Sequence, residues 1–397
     1  MPAQASHDIW LKLHRWFGVV AALFLAFAAI TGCVLCFVRP LDAALNADLF
    51  KAPPVTSPVP VAEAVDRFQA RHPELYVTQF PLALAPDQTI PVKVRGAAGV
   101  KLDFNQVFLA RDDGRLLGAR SNAPAWTRRG AMELLHDAHY TLLGGDWGKW
   151  FMGVIALGWL LSNLVGGYLT LPRRRPFWRG WKPMWRVSFK SAFARQMLDL
   201  HRASGLWLFA ALAVLAFTSA GLNFFTPIYQ PAVERLFPPK PSPFTSPAPF
   251  PKGVAGHLSF TRAVELSEAR RTATGERWKL ATVIYQPGRE LYGVTLTDDG
   301  RLNYRRLGPV YWYFASDGGR FVHADSPYGD DRSITLIRAL YPLHSGRMGG
   351  APGVALVFVL GIVTFAASVT GLYIWLKRRP PRVAARRAGR QRTSAAP

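Results

Sequence analysis

The sequence predicts a membrane α-helical fold: a four-transmembrane-helix bundle built from two parallel repeats, each with a small α+β domain inserted on the exported side. Three observations predict it: four long apolar runs, an uneven placement of positive charge, and an internal repeat. Crossing a hydrocarbon core of about 30 Å takes about 20 apolar residues. The runs Trp16–Val38, Trp150–Leu171, Gly205–Ile228 and Gly353–Leu376 each reach that length.

The charge sets the orientation. The chain carries a net charge of +23. Between Pro172 and Leu200 stand Arg173, Arg174, Arg175, Arg179, Lys182, Arg186, Lys190 and Arg195 against the single acid Asp199. The tail after Leu376 adds eight basic residues and no acid, and the N-terminal segment adds Lys12 and Arg15 against Asp8. Together these three segments hold 16 of the 23 excess charges. By the positive-inside rule both termini and the middle loop are cytoplasmic. The basicity is therefore a topology signal, and nucleic acid is not an expected partner. The lipid bilayer is.

The first apolar run lacks a small-x-small cleavage site followed by a polar mature start, so it reads as an uncleaved anchor. The exported segments contain no cysteine, which excludes a disulfide framework there. Cys33 and Cys36 lie near the outer end of the first helix, on one helical face, and read as small packing residues.

The repeat organises the rest. Shifted by 187, Leu13-His14-Arg15 falls on Leu200-His201-Arg202, Gly18 on Gly205 and Thr31 on Thr218. Shifted by 205, Asp112, Gly114 and Arg115 fall on Asp317, Gly319 and Arg320. The same shift puts His139 on His344, Gly144-Gly145 on Gly349-Gly350, and Gly148 on Gly353. It also puts Gly166, Tyr168 and Arg173 on Gly371, Tyr373 and Arg378. The chain then divides into residues 1–38 (N-terminus and first helix), 39–138 (first exported domain), 139–171 (second helix) and 172–200 (basic loop). The second half is 201–228 (third helix), 229–343 (second exported domain, with a Pro-rich linker at 237–253), 344–376 (fourth helix) and 377–397 (basic tail). Two halves of one orientation imply a pseudo-twofold axis along the membrane normal. Each exported domain opens with a helix, Val61–Arg71 or Thr261–Arg271. Alternating segments such as "PVKVRG" and "LYGVTLTDDG" follow and read as strands. "ARDDGRLLG" and "ASDGGRFVH" read as hairpin turns.

Symmetry also sorts the nine histidines. His14 and His201 begin helices one and three at the cytoplasmic face, and His139 and His344 begin helices two and four at the exported face. A lone histidine at a helix end is usually interfacial. Two symmetric pairs at membrane depth are a functional signal. A histidine pair without Cys, Asp or Glu is a poor zinc or non-haem iron site, which takes three or four ligands. It suits a six-coordinate haem, whose iron needs only two axial imidazoles. Gly18 and Gly205, four residues on, lie on the same helical face and leave room for a flat macrocycle; helix contact is the alternative reading. Arg15, Arg202 and Arg347 are propionate candidates. His136 maps onto Tyr341 and has no partner. It reads as a neighbour of the outer site, contacting a propionate or substrate, or replacing His139 as a ligand. Two haems, one near each face, make an electron route. No dinucleotide fingerprint follows a strand, so the donor is a quinol or a cytoplasmic partner. "PFWRGWKPMWRVSFK" reads as an interfacial lipid anchor.

"LHRWFG" at 13–18, "HYTLLGGDWG" at 139–148, "LHRASGLW" at 200–207, "LHSGRMGGAPG" at 343–353 and "GLYIWLKRR" at 371–379 carry a resemblance over nearly the whole chain. In them the sequence resembles the PepSY-associated transmembrane-helix family of iron-regulated membrane proteins. The resemblance implies PepSY-like periplasmic domains and two haem b groups per chain, on His14 with His201 and on His139 with His344. It implies a di-haem reductase of the bacterial inner membrane that reduces a ferric siderophore in the periplasm and releases its iron. Tyr311, Trp312, Tyr313 and Phe314 read as strand core or as a stacking platform for that substrate. The alternatives are a non-enzymatic PepSY sensor or assembly protein, and a metal or siderophore permease.

Overall fold

A computed structural model describes residues 2–97, 100–173, 175–244 and 258–394. Part of the Pro-rich linker expected at 237–253 lies outside the described residues. The chain forms a set of long apolar helices and a separate antiparallel sheet domain, and it is a multi-pass membrane protein.

The first half opens with α1 (Pro2–Leu35), followed by the short helices α2 (Val38–Leu45) and α3 (Ala47–Phe50). The sheet segment then supplies α4 (Val61–Arg71) and strands β1 (Leu75–Pro81), β2 (Ile90–Gly96), β3 (Gln106–Leu109) and β4 (Leu116–Arg120). α5 (Ala131–Thr141) leads back to α6 (Gly145–Thr170). After α7 (Phe177–Trp181) come α8 (Phe193–Trp207), α9 (Phe209–Asn223) and α10 (Gln230–Leu236). The second sheet segment supplies α11 (Phe260–Thr274), β5 (Lys279–Gln286), β6 (Leu291–Thr297), β7 (Val310–Ala315) and β8 (Phe321–Asp325). α12 (Arg332–His344) and α13 (Gly350–Ser394) close the chain.

Three helices are long and apolar enough to cross a membrane, and α8 with α9 makes a fourth span if the bent pair counts as one. α1 packs on α13 and α6, α6 on α9, and α8 on α13. Their outer faces are lipid-facing stripes. Trp16, Val20, Leu23, Phe27, Ile30 and Val34 are exposed along α1, and Trp150, Val154, Leu157, Leu161, Leu164 and Tyr168 along α6. Both sets alternate in steps of four and three, one continuous face of a 3.6-residue helix. An apolar face of that length is not tolerated in water.

Three helix boundaries differ from those read in the sequence. The third run is not one straight span: α8 and α9 meet at 76° around Leu208. Beside the break the Asn163 amide of α6 donates to Phe209 O, in the first turn of α9, at 3.1 Å. His139 and His344 do not open spanning helices. His139 is in the last turn of α5 and His344 is the last residue of α12. Leu142, Leu143 and Gly145 have φ of 55°, 61° and 55°, so the chain reverses through left-handed backbone before α6 begins. The turn needs glycine on its far side. A Cβ on Gly148 would lie 1.6 Å from Thr141 O, and one on Gly353 would lie 2.0 Å from Gly346 O.

The two sheet segments are not separate domains. They form one eight-stranded antiparallel sheet in the order β4-β3-β2-β1-β5-β6-β7-β8. The central seam pairs Gln79 with Ile284, Phe80 with Val283 and Pro81 with Thr282. Left apart, β1 and β5 would each be an exposed edge, and pairing removes both. α4 and α11 lie together over this seam because Val61, Ala64, Val65 and Phe68 of one and Phe260 and Ala263 of the other are buried against Val77, Val92, Val107, Val283 and Leu296. Phe80 meets Phe260 edge-to-face at 5.2 Å. Asp66 of α4 accepts from the backbone N–H of Phe260 and Thr261 at 2.7 and 2.9 Å, so one half caps the helix of the other. Trp312, Tyr313 and Phe314 are buried in β7 as strand core, and the half-buried Tyr311 ring is covered by the Arg338 guanidinium at 4.6 Å.

Candidate functional site

His14 on α1 and His201 on α8 face each other with ring centroids 6.3 Å apart and planes at 65°. His14 Nδ1 lies 3.1 Å from Ser162 O and 2.8 Å from Ser162 Oγ. His201 Nδ1 lies 2.9 Å from Ala367 O and 3.4 Å from Thr370 Oγ1. A carbonyl oxygen only accepts, so in both rings Nδ1 carries the hydrogen and Nε2 presents its lone pair. Ser162 and Ala367 are themselves 205 apart, as are Gly166 and Gly371, which back the two rings. A Cβ at Gly166 would stand 3.3 Å from His14 Cε1, and one at Gly371 3.2 Å from His201 Cε1.

The second pair repeats this design at the sheet end of the helices. His139 and His344 have centroids 6.4 Å apart and planes at 51°. Thr31 Oγ1 lies 2.9 Å from His139 Nδ1, and Thr218 Oγ1 lies 3.3 Å from His344 Nδ1. Each hydroxyl gives its one hydrogen to its own helix, at Phe27 O or Ala28 O for Thr31 and Val214 O or Leu215 O for Thr218. Each therefore accepts from the imidazole, and Nε2 is again the open nitrogen. Gly32 stands behind His139, where a Cβ would be 3.1 Å from Cε1.

These residues fit a bis-imidazole haem. An imidazole nitrogen bonds a metal at about 2.0–2.1 Å and lies about 1.1 Å from its ring centroid, so two axial rings sit about 6.3 Å apart between centroids. Both observed separations match. At Gly18 and Gly205, one turn from His14 and His201, an added Cβ would meet no heavy atom within 4 Å, so the helix face beside each imidazole is open. The second pair opens on a cavity of about 520 Å³ whose deep wall is apolar (Leu25, Ala29, Ile155, Trp159, Leu215) and whose mouth is polar (Glu133, His136, Tyr140, Tyr341, Arg347). That volume is in the range of cofactor sites, and its polarity runs the way an apolar ring with carboxylate arms would lie. Among the described residues no group of three or more His, Cys, Asp or Glu is arranged to hold a metal ion.

The other residues singled out in the sequence divide. Arg347 and His136 line the cavity mouth. Arg15 is half-buried beside His14 on α1. Arg202 has different partners from the propionate expected: it bonds Asp199 at 2.9 Å and the carbonyls of Pro183 and Met184 at 3.1 and 3.2 Å. The physical reason is Asp199 itself, a buried carboxylate that needs a cation. Cys33 and Cys36 line the cavity as thiols. Sequence reasoning missed Ser162, the Ala367 carbonyl and the backing role of Gly166 and Gly371. One signal was available for the hydroxyls, because Thr31 and Thr218 each follow a ligand-type histidine by seventeen residues.

No curated protein matches the chain. The family model of the PepSY-associated TM region matches residues 11–378, a span that contains all four histidines, their Nδ1 partners and the whole described sheet. On that match the chain belongs to the PepSY-associated TM family.

Proposed function

We propose that the protein is a di-haem reductase of the bacterial inner membrane, which carries electrons across the bilayer to reduce a ferric siderophore in the periplasm. One observation carries the reading: two facing histidine pairs, 6.3 and 6.4 Å apart between ring centroids, one between α1 and α8 and the other between α5 and α12. His14 and the His139 partner Thr31 are seventeen residues apart on α1, about 26 Å at 1.5 Å per residue. That nearly spans a hydrocarbon core of about 30 Å. The offsets of 187 and 205 that relate these residues support a bundle of two parallel repeats. The basic loop and tail support cytoplasmic termini, with the sheet in the periplasm.

His14 and His201 would hold the inner haem b, and His139 and His344 the outer one. Each haem, when bound, supplies a one-electron couple. The chain's own residues do the rest. Ser162, Ala367, Thr31 and Thr218 fix the tautomer and rotation of each ligand ring, as partners beyond the metal ligands do in metal sites generally. The glycines behind and beside the rings keep side chains out of the macrocycle's space. The lipid-facing stripes keep the helices in lipid, and the polar lining of the outer cavity comes mostly from α5 and α12, the helices next in the chain after the two sheet segments. At that cavity the substrate is Fe(III) held by hard oxygen donors, and one electron converts it to the more weakly held Fe(II). The electron donor is a quinol or a cytoplasmic protein.

The test is reoxidation. Protein reduced anaerobically is mixed with ferric chelates in the presence of a ferrous-specific chromogenic chelator. The reading expects the reduced haem bands to decay as Fe(II) appears in equal electron count. Stable reduced bands with every ferric chelate would refute it, and would favour a sensor or assembly role for the sheet.

A further inference from the structure

The two halves of the protein match at the histidine pairs and around the inner rings and differ at the mouth of the outer cavity. Positions 205 apart give the same element at the ligands (His139 and His344), at the inner-ring acceptors (Ser162 and Ala367 carbonyls) and behind the inner rings (Gly166 and Gly371). At the cavity mouth the same offset pairs Glu133 with Arg338, His136 with Tyr341 and Tyr140 with Ser345.

The α12 side of the mouth is tied to the sheet domain, although Tyr341 itself stays exposed. Arg338 turns into the sheet domain, donating to Pro309 O at 3.1 Å and Asp325 at 3.2 Å and lying 4.6 Å over the Tyr311 ring. Tyr341 is met edge-on by Tyr304 at 5.2 Å, and Ser345 donates to Tyr341 O at 2.8 Å. On the α5 side the mouth side chains form no hydrogen bond or ion pair among the described residues. Glu133, His136 and Tyr140 are exposed on one helical face that also carries His139. The His136 and Tyr140 rings lie 5.1 Å apart as one aromatic step. Glu133 has no ion-pair partner among the described residues, while the cation at the mouth, Arg347, comes from the opposite wall.

We infer that Glu133, His136 and Tyr140 form the docking face for the oxidised substrate, and that this face selects ferric chelates of neutral or positive charge. The inference rests on the reductase reading and names the substrate class for its outer site. The carboxylate attracts a cationic complex and repels an anionic one, and the aromatic step takes the ligand's apolar flank. Arg347, on the other wall, is left for the anionic arms of the cofactor.

The experiment measures binding without electron transfer. The haem-loaded full chain is titrated with two redox-inert gallium(III) complexes, a singly cationic trihydroxamate with a terminal ammonium and a trianionic tris-catecholate. An exposed charge pair changes affinity by up to about fivefold. Glu133→Gln should weaken the cationic complex about threefold, and Glu133→Lys about tenfold. Glu133→Lys should also tighten the anionic complex, and His136→Gln should weaken the cationic one, with haem content unchanged in all three. Equal affinities for both complexes in wild type and variants would overturn the inference. So would loss of a haem in Glu133→Gln or His136→Gln, which would assign these residues to the cofactor. A charge switch at Glu133 in protein that no ferric chelate reoxidises would uphold the docking face and refute the reductase reading.

Discussion

Substituting Gly205 by leucine separates the fold of this protein from its cofactor. An added Cβ at Gly205, as at Gly18, meets no heavy atom within 4 Å. The polypeptide alone therefore accepts a side chain there, and removing a glycine from a helix interior gains about 0.8–1 kcal/mol. A macrocycle on His201 would lie against that face, one turn along. A leucine side chain forced into it carries an overpacking cost of about 1–3 kcal/mol. At 1.4 kcal/mol per decade, this weakens haem binding about 5- to 140-fold. The assay is paired: thermal unfolding of the haem-free protein, and haem per chain by pyridine haemochrome after titration with haemin. Unfolding should be unchanged or slightly later, with about one haem lost. Gly153→Ala is the contrasting control, because its Cβ would lie 2.5 Å from the Phe224 ring and should destabilise the fold itself. Full haem content in Gly205→Leu, with normal affinity, would refute the placement of the macrocycle.

Four further outcomes follow from the same contacts. Thr31→Val removes the acceptor of His139 Nδ1 and should weaken outer-haem binding about 10- to 100-fold; Thr218→Val, with its 3.3 Å contact, should have the smaller effect in the same titration. Arg120→Met breaks a buried pair in which Arg120 holds both Asp42 oxygens at 2.7 Å, and should destabilise the sheet by about 3–5 kcal/mol in denaturant unfolding. Asp66→Ala leaves the Ser259 cap in place but removes the acceptor of the Phe260 and Thr261 N–H groups, and should cost about 0.5–2 kcal/mol in the same experiment. Asp48 is held below the ordinary carboxylate range by its hydrogen bond to Arg129, with the charges of Arg129 and Arg128 adding to it. Its contribution is therefore present above that range and lost as pH falls through the lowered value, so Asp48→Asn should flatten the acid limb of the stability profile below about pH 4.

The spans and the histidine pairs were legible because each depends on a local pattern. A stripe such as Trp16-Val20-Leu23-Phe27 is periodic within one helix, and the pairing of His139 with His344 follows from a repeat visible along the chain. The helix breaks were not legible. "HYTLLGGDWG" contains no proline, and the reversal sits at Leu142 and Leu143, residues that seldom take positive φ. The bend at Leu208 lies beside a contact from Asn163, 46 residues away along the chain from the carbonyl it bonds, and no proline or glycine at 208 announces it. The joining of the two sheets was hidden for a related reason. Whether β1 is an edge or a central strand depends on β5, two hundred residues later, and nothing in "LYVTQFP" records it. Arg202 was read as a propionate partner because it adjoins His201, whereas Asp199 competes for it within a single helical turn.

The most direct test of the account is the haem content and absorption spectrum of the purified full-length protein. Two bis-histidine sites predict about two haem b groups per chain, with a Soret band and sharp α and β bands on reduction, and about one haem in His344→Ala. Protein that is colourless after haemin titration and gives no pyridine haemochrome would contradict it.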